Sequence, residues 1–103
     1  MKQLQAEIKE FILQRDWQSY HSPKNLAMAL SVETAELLEI YQWLSQAESK
    51  NVTPETLRHI EEEIGDIMIY LTTLASAHGL DPLSAAHKKL KKNRLKYPLP
   101  TDQ

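Results

Sequence analysis

The stretch from Leu26 to Leu44, LAMALSVETAELLEIYQWL, constrains this chain more than any other. Leu26, Leu30, Leu37, Ile40 and Leu44 recur at helical spacing and form one apolar stripe. Glu33 falls inside that stripe, where the period calls for another Leu. A carboxylate turned toward a core costs on the order of several kcal/mol unless a partner meets it. Glu36 follows one turn on, on an adjoining face. Either this stretch is not a core helix, or its acids await a cation.

The rest of the chain narrows that choice. Its 103 residues, 42% hydrophobic and 25% charged, suit a single globular domain over 1–103. A helical core of that size is thin, and self-association relieves the shortage. The net charge of −2 offers no general basic surface to a nucleic acid polymer. The signs are unevenly placed, however, with Lys88, Lys89, Lys91, Lys92, Arg94 and Lys96 crowded near the end. There is no cysteine, hence no disulfide and no thiolate site. No apolar run is long enough to span a membrane, and Met1-Lys2-Gln3 opens no signal peptide, so a cytoplasmic location is expected. Gly occurs only at Gly65 and Gly79, which excludes a Gly-rich phosphate loop.

The pattern predicts an all-α fold of four helices. The first covers 2–14, with Leu4, Ile8, Phe11 and Ile12 as its buried face. Residues 17–24, WQSYHSPK, read as a loop. Ser22-Pro23 then starts the second helix, which runs to about Trp43 or Leu44. Residues 45–52 are polar and read as a connector. Thr53-Pro54 and Asp81-Pro82 repeat the start signal for the third and fourth helices, and Gly79 stops the third after His78. The third carries the stripe Leu57, Ile60, Ile64, Ile67, Leu71 and Leu74, bordered by Glu63, Asp66, Tyr70 and Thr73. The fourth has Leu83, Ala86 and Leu90 as apolar positions, with Lys89, Asn93 and Lys96 on another face. The tail, about 98–103, is expected to be loose. No strand pattern is present.

Two acid pairs carry the chemistry: Glu33-x-x-Glu36 and Glu63-x-x-Asp66. Residues three apart are neighbours on a helix surface, so two packed helices can aim four carboxylates into one space. An all-oxygen donor set suits Mg²⁺, or Mn²⁺ in its place, rather than zinc. A single pair is better read as a solvated face; two pairs beside apolar stripes favour a metal site. His59, His78 and His87 complete no metal-binding motif and read as surface or helix-end residues; His21 differs only in sitting beside Trp17 and Tyr20. Trp17, Tyr20, Trp43 and Tyr70 are each best explained by packing, but as a group they can sandwich a flat base. The Lys89, Asn93, Lys96 face can neutralise phosphates. Metal, aromatics and basic helix together point to a nucleotide polyphosphate and to water attack on phosphorus.

The residues RDWQSYHSPKNLAMAL at 15–30, the acid pair in SVETAELLEIYQW, EEEIGDIMIYL at 61–71 and KKLKKNRLKYP at 88–98 resemble the MazG-like superfamily of all-α nucleoside triphosphate pyrophosphohydrolases, in its dCTP pyrophosphatase-like branch. The likeness covers nearly the whole chain in order and spacing. It implies a four-helix protomer, assembled as a dimer or dimer of dimers with sites near subunit contacts. It implies hydrolysis of a (deoxy)nucleoside triphosphate to the monophosphate and pyrophosphate, clearing dCTP-like or non-standard nucleotides. It would place Mg²⁺ and catalysis on Glu33, Glu36, Glu63 and Asp66. Base and sugar contacts would fall on Trp17, Gln18, Ser19, Tyr20 and His21, with Trp43 and Tyr70, and phosphate contacts on Lys89, Asn93 and Tyr97. Relatives that prefer dCTP carry a His on the first helix where this chain has Ile8, which removes a polar contact near the base. A relative acting on dUTP or phosphoribosyl-ATP, or a non-catalytic helical interaction module, is the alternative reading.

Overall fold

The computed structural model describes residues 1–100; Thr101–Gln103 of the expected loose tail lie outside the described residues. Five helices follow in order: α1 Lys2–Gln14, α2 Pro23–Tyr41, α3 Gln46–Ser49, α4 Pro54–Ala77 and α5 Pro82–Lys96. There is no strand among the described residues.

Three helix starts use the device read from the sequence. Ser22 accepts a hydrogen bond from the Asn25 amide at 3.2 Å, Thr53 from Thr56 at 3.1 Å and Asp81 from Ser84 at 2.8 Å, each with Pro in the first turn. Such a cap contributes roughly 1 kcal/mol. Gly79 takes φ +68° past the end of α4, and the Leu80 amide donates back to the Ala75 carbonyl at 2.8 Å. The same closure ends α1: Asp16 takes the left-handed φ of 54°, and the Trp17 amide donates to the Ile12 carbonyl at 3.1 Å. That cap throws the Trp17 ring back onto Phe11, edge to face, with centroids 5.6 Å apart.

Two connections are more structured than their composition suggested. The polar connector 45–52 contains α3, closed by a capping box in which Ser45 and Glu48 satisfy each other's backbone amides. The described residues therefore form four long helices and one single-turn helix. The loop 17–24 contains a 3-10 turn, Gln18–Tyr20.

The core lies along α2 and α4, with α1 laid on α4. Leu26 and Thr72 line a cavity at one end of the pair, and Ile40 and Thr56 line a cavity at the other, so α2 and α4 run antiparallel. The α2 stripe is oriented as expected: Leu26 is buried, and Leu30, Leu37, Ile40 and Leu44 are partly covered, with Glu33 among them. The α4 helix is rotated from its expected setting. Its covered face runs Ile60, Glu63, Ile67, Tyr70 and Leu74, while Leu57, Ile64 and Leu71 point outward. Phe11 on α1 and Leu83 and Leu90 on α5 are also exposed. Only Ile8, Leu26 and Ile60 are buried apolar residues among those described. The radius of gyration, 17.2 Å, exceeds the roughly 13 Å of a compact 100-residue domain.

Candidate metal centre

The rotation of α4 turns Glu63 into the α2 interface. Its carboxylate meets Glu33 and Glu36 from α2, and one oxygen of each lies within 4.8 Å of the others. Glu63 is 8% exposed, Glu33 partly covered and Glu36 exposed. One oxygen of Glu33 and one of Glu63 are buried without a hydrogen-bond partner in the protein. Among the described residues, no Lys or Arg comes within ion-pair distance of these acids; their one ion-pair contact is His59 Nε2, 3.7 Å from Glu63 Oε1.

The electrostatics follow from this crowding. Burial pushes the Glu33 carboxyl up from 4.5 to about 7, reinforced by the carboxylates of Glu36 and Glu63 and by the charge of Asp66. Asp66 thus acts on the cluster through its field, but it is exposed and stands outside the group of three. Three acids with two orphaned oxygens and no organic cation form a donor set that fits a hard metal ion. A cavity of about 710 Å³ opens beside them, lined by Glu36 and Glu39 of α2, by Glu48 and Asn51, and by Thr56, His59 and Glu63 of α4.

The sequence profile of the MazG-like family matches residues 28–103, which includes both acid pairs. The chain belongs to the MazG-like family. Among MazG-like relatives, dCTP pyrophosphatase 1 of Rattus norvegicus is 39% identical over 92 residues, 87% of this chain and 54% of that protein. The Homo sapiens dCTP pyrophosphatase 1 is 37% identical over 91 residues, 86% of this chain and 54% of its own length. The chain spans about half the length of these curated relatives. The crystal structure of a pyrophosphatase from Archaeoglobus fulgidus matches with a TM-score of 0.84 at 41% identity, covering 96% of this chain and 93% of that one.

The other residues expected of the site do not line the cavity beside the acids. Gln18 and His21 line a second cavity, where α1 meets α2 and α4. Trp17, Ser19, Tyr20, Trp43, Tyr70, Lys89, Asn93 and Tyr97 line neither cavity. Trp43 is 87% exposed, just beyond the end of α2. Tyr70 is partly covered on α4, one turn past Asp66. None of the α5 residues, Lys89 and Asn93 included, is buried. His59, taken from the sequence as a surface residue, is 59% exposed yet leans on Glu63. The signal for it was its place four residues before an acid on the same helix.

Proposed function

We propose that this chain is a Mg²⁺-dependent nucleotide pyrophosphohydrolase, cleaving a nucleoside triphosphate to the monophosphate and pyrophosphate. The observation that carries it is the convergence of Glu33, Glu36 and Glu63, with two buried oxygens that nothing in the protein satisfies. These three, with Asp66 one turn further along α4, would hold the ion. Bound there, Mg²⁺, or Mn²⁺ in its place, supplies Lewis-acid polarisation of a phosphate and a lowered pKa for attacking water. The protein's own part is to keep the acids in place and to accept the proton of that water on a carboxylate oxygen left free. The family relatives bear the name dCTP pyrophosphatase, which makes dCTP and related deoxynucleotides the first substrates to try.

The same reading includes a homodimer or a dimer of dimers. Leu57, Ile64, Met68 and Leu71 form an outward apolar face on α4, at spacings that a partner helix can cover. A protomer with three buried apolar residues has little core of its own. A second copy would cover that face. The decisive experiment is pyrophosphate release from a panel of triphosphates, with dUTP and phosphoribosyl-ATP included, with and without Mg²⁺, for wild type and Asp66→Asn. Turnover that needs Mg²⁺ and is lost in Asp66→Asn is expected. Release from no triphosphate, or release indifferent to metal, overturns the reading.

A further inference from the structure

The cavity beside the acids offers a nitrogen donor that an all-oxygen Mg²⁺ site does not use. His59 sits one turn before Glu63 on α4, so both side chains leave the same side of the helix. Both line the cavity of about 710 Å³, and Glu36 and Glu39 line it from α2. Because α2 and α4 run antiparallel, the turn from Glu63 back to His59 is matched on α2 by the turn from Glu36 on to Glu39. Glu48 also lines this cavity, but its carboxylate is engaged. Its Oε1 accepts the Ser45 amide at 2.8 Å, and that bond holds its carboxyl below the usual range.

The spacing between His59 and Glu63 distinguishes two roles for the imidazole. Its Nε2 lies 3.7 Å from Glu63 Oε1. An N–H···O hydrogen bond closes to about 2.9 Å, so this pair stands open by about 0.8 Å. Two donors on one ion, with bonds of about 2.1 Å at a tetrahedral angle, lie about 3.4 Å apart. The imidazole is 59% exposed and free to make that small shift. Glu63, by contrast, is buried and held in place. Its two oxygens differ: Oε1 is the one beside His59, and Oε2 is the buried one that no protein group satisfies. Mg²⁺ takes oxygen donors, whereas imidazole suits Zn²⁺ and Ni²⁺.

We infer that His59 and Glu63, with Glu39 across the cavity, form a second metal site, one for a borderline divalent ion such as Zn²⁺ or Ni²⁺. Glu63 belongs to both sites. An ion held by His59 therefore draws the Glu63 carboxylate away from Mg²⁺, and the two ions compete. That competition makes the second site an inhibitory one; this consequence, unlike the site itself, rests on the pyrophosphohydrolase reading above.

The test is calorimetric titration of the untagged, metal-free chain with Ni²⁺ and, separately, with Mg²⁺. It compares wild type with His59→Ala, His59→Gln and His87→Ala. The His59 side chain is mostly exposed, so its replacement leaves the fold intact. His59→Ala and His59→Gln should each weaken Ni²⁺ binding by roughly tenfold or more, because each removes the nitrogen donor, and should leave Mg²⁺ binding unchanged. His87→Ala, which removes a histidine of α5, should bind both ions as wild type does. Excess Mg²⁺ should weaken Ni²⁺ binding to wild type. Ni²⁺ bound as tightly by either His59 variant as by wild type overturns the inference, and so does a loss of Mg²⁺ affinity as large as the loss for Ni²⁺. If wild type hydrolyses no triphosphate but its Ni²⁺ binding depends on His59, the site stands and the proposed function falls. If Mg²⁺-dependent turnover is found and His59→Ala binds Ni²⁺ like wild type, this inference alone fails.

Discussion

Glu63→Gln should make the metal-free protein more stable, although it alters one of the few buried side chains. Two unit charges 4.8 Å apart repel by about 3.5 kcal/mol at an effective dielectric of 20 and by about 0.9 kcal/mol in bulk water. Glu63 faces two such neighbours, one partly covered and one exposed, so the real penalty lies between these limits and is screened. Relief of about 1–3 kcal/mol is a fair expectation. Against it stands the His59 contact, whose imidazole is 59% exposed and 3.7 Å away; an ion pair of that kind is worth roughly 0.5 kcal/mol or less. The amide keeps the shape of the acid, and its NH₂ can donate to the carboxylates it faces. At this chain length 1 kcal/mol moves Tm by roughly 4–8 °C, so a rise of about 4–24 °C is expected in EDTA at pH 8. Adding millimolar Mg²⁺ should raise Tm of the wild type and leave the variant nearly unmoved, since a ligand stabilises only the form that binds it. Thermal unfolding followed by circular dichroism reads both effects. A variant that melts below wild type in EDTA would refute the reasoning, because Glu63 would then be held by attraction and not strained by its neighbours.

The Glu33 carboxyl, raised to about 7, gives a pH signature. The folded protein binds that proton more tightly than the unfolded chain, so its stabilising effect is full below about pH 4.5 and is lost as pH rises to about 7. In EDTA, the stability of wild type relative to Glu33→Gln should fall across that window; a flat difference tells against the crowding. Trp43→Ala should raise KM more than it lowers kcat and leave protomer stability unchanged, since the ring is 87% exposed; steady-state kinetics with an unchanged KM would remove Trp43 from the site. Ile64→Lys, at a position 53% exposed in the protomer, should shift light-scattering mass to the monomer and make Tm independent of protein concentration. An unaltered oligomer would place the interface elsewhere.

Much of this was legible in the chain itself. Helix starts at Ser22, Thr53 and Asp81 and the stop at Gly79 depend on short-range chemistry, a side-chain oxygen and an amide three residues apart or a residue free to take positive φ. Glu33 stood out because an acid interrupting a leucine period needs a reason within the same helix. The short α3 was also written locally, in Ser45 and Glu48, beneath a composition that read as a connector.

Tertiary packing decided the rest. Period alone favours the face of α4 through Ile64 and Leu71, with Glu63 and Tyr70 on the second stripe at its border. Docking against α2 chose the second, and that choice buried Glu63 while leaving Asp66 outside the group of three. The same docking closed a pocket over Thr72, a residue with no mark of its own in the sequence. A sequence fixes which groups lie on each side of a helix. How far that helix turns about its axis is set by contacts with residues distant along the chain, and a turn of one residue, about 100°, separates a buried ligand from a solvated one.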